Sequence, residues 1–383
     1  MARYGAIVIG LGAMGSATAC HLAGRGVRTL GLEQFDIPHD RGSSHGVTRI
    51  IRLAYWEHPS YVPLLQRAYA LWRDLERGAG ERLLVITGSI DAGPADSPTV
   101  TGSLRSCALH DLPHEVLDAA ALRRRYPGYQ LTPEMVAVYQ ADGGFVMSER
   151  AIVAHVAAAR AAGAEIRARE RVLGWDPHAG GVRVRTERAT YYAGRVVITA
   201  GAWAGKLVPA IAAVAIPERQ VMIWTQPIRP ELFTPGRFPV FNMEAPEGRF
   251  YGFPVCEDAG LMCEIPGFKL GKYRHRGERA DPDHLDREIH PEDEAVLREG
   301  IRRYFPDADG PAIALRPCMF TNSPDEHFVL DSLPGCPEVL IAAGFSGHGY
   351  KFASVIGEIM ADLATRGSSP LDLTLFRLAR FAT

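Results

Sequence analysis

The sequence predicts an α/β protein with an α+β second domain, and three blocks of chain carry that prediction. Residues 6–9 are a short apolar run closed by Gly10, residues 13–25 an Ala-rich helix ending at Gly26, and residues 27–33 a second strand, together a βαβ unit with a right-handed connection. A block of the same character follows: a helix over 149–162, strands over 165–169 and 182–186, and a buried strand over 195–199 that stops at Ala200-Gly201. A third block closes the chain, with a strand over 339–343, glycines at 344, 347 and 349, and a helix over 352–364.

Between these blocks the composition changes. Residues from about 81 to 140 and from about 215 to 325 are richer in Pro, aromatic residues and alternating runs such as 220–225. The expected organisation is a cofactor domain from 1–80, 141–214 and 325–383, interrupted by a substrate domain from 81–140 and 215–324. A chain of 383 residues exceeds what one hydrophobic core usually serves, which agrees with two units.

Hydrophobic residues make up 47% and charged residues 22%, so the chain is ordinary globular material. The net charge is −2 with no block of Lys or Arg, which argues against nucleic acid or an anionic membrane as partner. No segment approaches the ~18–20 apolar residues of a membrane span, and the run at 6–9 is too short for a signal-peptide core. The expected location is the cytoplasm. The six cysteines form no C-x-x-C pair and no zinc spacing, so reduced thiols and no metal are expected.

Gly10, Gly12 and Gly15 have the G-x-G-x-x-G spacing, after a strand and opening a helix. The first glycine makes the turn, the second admits a pyrophosphate, and the third lets helix and strand close. The helix start supplies free N–H groups and partial positive charge. Glu33 closes the second strand, where a carboxylate accepts from a ribose hydroxyl and disfavours a 2′-phosphate. The motif sits at the extreme N-terminus, a small polar loop follows at 41–49, and the C-terminal glycines open another helix. Together these favour FAD over NAD in a Rossmann-like domain, although the 41–49 loop by itself reads equally as a surface turn.

More specific stretches follow. They are Gly46-Val47-Thr48-Arg49-Ile50-Ile51-Arg52, Tyr251-Gly252-Phe253-Pro254, Cys318-Met319-Phe320-Thr321, Asp325-Glu326-His327-Phe328 and 344–352. In these the chain resembles the family of monomeric sarcosine, N-methyltryptophan and pipecolate oxidases, among the D-amino-acid-oxidase-like flavoproteins. The resemblance implies a monomer that oxidises the C–N bond of a secondary amino acid, with FAD as electron acceptor and O2 returning H2O2. It implies flavin covalently bound through Cys318, a residue that the residues alone give no special status. It places Arg52 and Lys351 on the substrate carboxylate, a role suited to arginine's planar fork. It places Lys269 at oxygen activation, Tyr251 on the substrate, and His45, Arg49 and His348 beside the flavin ring.

The expected cofactor contacts are Gly10, Gly12, Met14, Gly15, Glu33, Arg41, Ser43, Ser44, Arg49, Val172 and Gly201, and then Gly344, Ser346, Gly347, His348, Gly349 and Lys351. Two departures bear on the substrate. The family's sarcosine-specific members have Tyr where Phe320 stands. After Lys269 the family places a His in a run one residue shorter, and either Tyr273 or His275 takes its place here. Other secondary amino acids, or a dehydrogenase passing electrons to another carrier, are the alternative activities.

Overall fold

The computed structural model describes residues 3–256 and 263–381, whose strands form three sheets. Tyr4–Ile9 lies at the centre of the first sheet, parallel to Thr29–Leu32 on one side and to Thr190–Ile198 on the other. Glu165–Arg167 extends one side and Cys336–Ala343 joins Thr190–Ile198, both in parallel register. Ile7 and Val8 are fully buried because a parallel strand is covered on both faces, which is why the run is continuously apolar. An antiparallel meander of Val172–His178, Gly181–Thr186 and Thr190–Ile198 completes that side.

The helix Ala13–Gly24 packs between the last helix, Ala353–Arg366, and Ser148–Ala161. Small residues permit the approach: a Cβ on Gly357 would lie 2.5 Å from the carbonyl carbon of Ala17. The helix Tyr61–Ala79, which the sequence reading passed over, buries Tyr61, Leu64, Leu65, Ala68, Leu71 and Trp72 on one stripe at helical spacing. Each such side chain contributes roughly 1.5–3 kcal/mol when fully buried. The indole of Trp72 donates to the backbone oxygen of Lys351 at 2.8 Å, so this helix also fixes the start of the last one.

The second sheet runs Ala312–Asn322, Ile216–Thr225, Phe268–Lys272, Gly248–Phe253, Val240–Ala245, Ser89–Pro94, Met135–Gln140, Glu115–Asp118. Its neighbours are antiparallel, as expected, except that Ser89–Pro94 and Val240–Ala245 pair in parallel. Behind it lies an aromatic core in which Tyr129 stacks on Phe238 at 4.3 Å and Phe241 meets Phe305 at 4.6 Å. The helix Pro291–Tyr304 closes this face.

A small third sheet, Thr48–Ile51, Gly144–Met147 and Leu84–Ile86, takes strands from chain expected in both units. Thr48 and Arg49 therefore begin a strand instead of ending a loop. Two other expectations are corrected. The strand ahead of Glu33 ends at Leu32. Cys256 and Cys263 are joined in a disulfide, so not every thiol is free. No described helix is long and apolar enough to cross a membrane, and no described His, Cys, Asp and Glu residues cluster as metal ligands.

Candidate active site

The glycine turn opens on a cavity of about 300 Å³ that runs along the first sheet to the end of Ala312–Asn322. Gly10 has φ +88°, and a Cβ there would lie 2.8 Å from the oxygen of Thr199. A Cβ on Gly15 would lie 1.8 Å from the oxygen of Gly10, so strand and helix meet only because both residues are glycine. Over Gly12 the nearest atom is Ser44 Oγ at 3.4 Å, which leaves that backbone facing the cavity. No acidic residue lies in the helix's first turn; Ala13 N–H donates to Ser44 Oγ at 3.3 Å, and the positive end of the helix faces the cavity. Glu33 accepts from the N–H groups of Leu11 at 2.8 Å and Phe35 at 3.0 Å, which fixes its carboxylate on the cavity wall. The cradle fits a dinucleotide pyrophosphate with a ribose at Glu33.

Met14, Ser43, Ser44 and Arg49 line the same cavity, as do Val172 and Gly201. Gly344, Gly347 and Gly349 line its far end with Thr321 and Tyr350, so the cavity is walled by residues distant in the chain. Five expected contacts lie elsewhere. Gly15 is behind the turn. Arg41 is turned to solvent, its side chain 55% exposed and pairing loosely with Asp40 at 3.6 Å. Its neighbours Gly42, Ser43 and Ser44 form the wall instead. Ser346 turns inward, donating to the Gly344 oxygen at 3.1 Å and accepting from Ser323 N. His348 and Lys351 are buried and do not line this cavity.

The loop at 43–48 turns its carbonyls onto two cations. Arg49 donates to the oxygens of Ser43, His45 and Thr48, at 3.0 Å for Ser43 and 2.8 Å for Thr48. Lys269, reaching across from Phe268–Lys272, donates to the oxygens of Gly46 at 2.7 Å and Thr48 at 2.8 Å. Burial, then Arg49, pull the Lys269 ammonium well below its ordinary value. The same two causes hold His45 neutral, at about 4. Cys318 is buried beside this group, its Sγ 3.9 Å from the Gly42 oxygen. Burial raises its thiol, and Arg49 and Lys269 oppose that rise.

Arg52 is 1% exposed and bridges two carboxylates that the sequence reading missed. Its Nε donates to Asp91 at 2.9 Å and its Nη2 to Glu57 at 3.0 Å, while buried Nη1 has no partner among the described residues. Ser103 and Asn242 also donate to Asp91, at 3.1 and 3.2 Å. Lys351 Nζ donates to the His348 oxygen at 2.8 Å and, like Arg52, lies over the Tyr55 ring. Burial, then Arg52, lower Lys351 to about 7, against the pull of Glu57 and Asp91. His348 sits between the Tyr55 hydroxyl, 2.6 Å from Nδ1, and the Glu326 oxygen, 2.8 Å from Nε2. A carbonyl only accepts, so Nε2 carries the proton and Nδ1 accepts from Tyr55. Burial lowers this imidazole to about 4.

Tyr251 stands over Gly271, where a Cβ would lie 2.4 Å from its hydroxyl. Its ring meets Tyr273 at 5.2 Å, and Tyr273 meets Phe320 at 5.8 Å. Phe320 presses on Gly347, where a Cβ would lie 2.4 Å from the ring. His275 is elsewhere: its Nε2 lies 2.9 Å from Asp293, which Arg219 holds through two 2.8 Å bonds. Of the two candidates after Lys269, Tyr273 is the one beside Tyr251. Tyr55, Glu57 and Asp91 carried no signal in the sequence, because each becomes legible only as a partner of Arg52 or His348.

The protein-family model described as FAD dependent oxidoreductase matches residues 6–363. The chain is 43% identical to a monomeric sarcosine oxidase of Streptomyces avermitilis, over 99% of this chain and 98% of that one. It is 36% identical to an N-methyl-L-tryptophan oxidase of Salmonella dublin, over 99% and 100%. Among solved structures, NikD, an unusual amino acid oxidase essential for nikkomycin biosynthesis, superposes with a TM-score of 0.83 at 26% identity, covering 98% of each chain.

Proposed function

Because the chain belongs to the family of FAD-dependent oxidoreductases, we propose that it oxidises N-methyl and related secondary amino acids with O2 as acceptor. The leading substrate is sarcosine, taken with O2 and water to glycine, formaldehyde and H2O2. The observation that carries this reading is the buried Arg52, fixed by two carboxylates with Nη1 left without a partner among the described residues, close to the Tyr55 ring that Lys351 also overlies. A directed donor of that kind suits a substrate carboxylate.

Bound FAD supplies the acceptor for a hydride equivalent from the carbon beside the amine. The residues of this chain bind and orient. Gly12, the helix start and Glu33 would hold the adenosine and pyrophosphate end, and Cys318 would tether the flavin through its 8α carbon. Arg52 and Lys351 bind the substrate carboxylate, and Tyr251, Tyr273 and Phe320 wall the remainder of the substrate. Burial keeps His348 neutral and its two hydrogen bonds orient it, so it adds no charge there. Arg49 holds positive charge where electron density accumulates, and Lys269 serves oxygen. The protein acts in this reading as a cytoplasmic monomer.

Acid precipitation of the purified holoprotein tests the tether. Yellow colour stays in the pellet for the parent and moves to the supernatant for Cys318→Ala. Full release from the parent removes Cys318 from that role. An oxygen electrode tests the activity: no H2O2 with any secondary amino acid sinks the oxidase reading, and flavin bleaching without O2 uptake assigns a dehydrogenase.

A further inference from the structure

We propose that Arg249 is a second anion-binding residue of the substrate site, and that the site takes a secondary amino acid bearing a second carboxylate. This rests on the amino-acid oxidase reading above and narrows its substrate class. The guanidinium of Arg249 lies 4.0 Å from the centroid of the Tyr273 ring and 4.6 Å from that of Trp56. Two rings hold the side chain in place without using its hydrogen-bond donors. Its Nε is buried and has no acceptor among the described residues. Its ion pair is loose, Nη2 to Glu326 Oε2 at 3.6 Å, and Glu326 is bound more tightly by Arg274 at 2.7 Å. A buried donor with nothing to donate to is rare in a native protein, and a ligand is one of the few things that explains it.

The residue is placed to meet a substrate. Tyr273, under its guanidinium, is the ring beside Tyr251 and Phe320, and Phe320 walls the cavity. Trp56 immediately precedes Glu57, the partner of Arg52. The Tyr273 phenol feels the charges of both Arg249 and Arg52. Tyr273 thus lies in the field of two cations, each with a buried N–H that has no acceptor among the described residues.

Charge balance points the same way. Below about pH 7, where Lys351 is charged, Arg52 and Lys351 balance Glu57 and Asp91, so that half is neutral overall. Arg249 and Arg274 share one carboxylate, so the other half keeps a positive charge. Sarcosine, a zwitterion, brings no net charge. A secondary amine with two carboxylates brings one negative charge and a second group of the right shape for a guanidinium.

The test uses the holoenzyme with iminodiacetate and sarcosine as substrates. Thiodiacetate and methylthioacetate, whose sulfur replaces the oxidisable nitrogen, are titrated by the change in flavin absorbance. The parent should bind thiodiacetate about tenfold or more tighter than methylthioacetate and prefer iminodiacetate by a similar factor in kcat/KM. Arg249→Leu should abolish both preferences, losing far more on the diacids than on the monoacids, and Arg249→Lys should restore part of each. Flavin content and Tm of each variant are measured alongside. A parent with no preference overturns the proposal, and so does an equal loss on diacid and monoacid in Arg249→Leu. If sarcosine reduces the flavin while the diacids show no advantage, only the second carboxylate falls. If neither substrate reduces it, the oxidase reading falls and takes this inference with it.

Discussion

Arg52 is tied to two carboxylates and keeps one donor without a partner among the described residues, so its loss acts on folding and on binding at once. Burial drives the Asp91 carboxyl up and Arg52 holds it down, which makes the arginine part of the fold. Arg52→Ala should cost ~3–5 kcal/mol of stability, by stranding two buried carboxylates. Arg52→Lys keeps the charge without the fork, so it should fold and raise KM for carboxylate substrates by ~2–4 kcal/mol in binding. Thermal unfolding and steady-state kinetics separate the two, and an unchanged KM in the lysine variant removes Arg52 from substrate binding. Lys351 gives a pH dependence of known sign. Its ammonium, lowered to about 7, is charged below that pH and lost above it. KM for a carboxylate substrate should therefore rise as pH climbs through 7, and Lys351→Met should show a high, flat KM. A parent profile flat across that range contradicts this assignment.

The strand–turn–helix at the N-terminus separates two jobs that one motif performs. Gly15 serves packing, since its Cβ would sit 1.8 Å from the Gly10 oxygen. Gly12 serves the ligand, since only Ser44 Oγ at 3.4 Å comes near and the rest of the space is cavity. Gly15→Ala should lower the stability of the apoprotein by ~1–3 kcal/mol and abolish FAD retention. Gly12→Ala should leave apoprotein stability within ~0.5 kcal/mol of the parent and still weaken FAD retention. Flavin absorbance and denaturant unfolding of the apoproteins distinguish them; equal destabilisation by both would contradict the division.

Across the whole molecule the second sheet is locked to its covering helix by a buried ionic cluster of Arg219, His275 and Asp293. Burial works to raise the Asp293 carboxyl, but the two Arg219 bonds, the His290 N–H and His275 outweigh it and hold it well below the usual carboxylate range. A depressed carboxylate contributes stability above its unfolded value of ~3.9 and loses it as pH falls through the folded one. Asp293→Asn should thus cost ~3–5 kcal/mol at pH 7, and the gap to the parent should narrow below pH ~4. Urea unfolding at both pH values checks this, and a gap independent of pH assigns the cluster to packing alone.

Local periodicity and glycine spacing determined the βαβ start, the closing strand and helix, and the class of cofactor site. Those features depend on neighbours within a few turns of chain, where hydrophobic pattern and backbone freedom act directly. The FAD-dependent family was legible as well, through short runs such as 344–352 and 318–321. Tertiary structure alone decided what each charged side chain meets. It gave Arg52 two buried carboxylates, turned Arg41 to solvent, drew His275 to Asp293 and set Tyr273 beside Tyr251. It also placed Arg249 against two rings with its Nε unpaired among the described residues. The physical reason is that a charge is defined by its partners and its burial, and both come from segments tens to hundreds of residues away. Sequence spacing does not encode those distances, whereas folding makes them fixed.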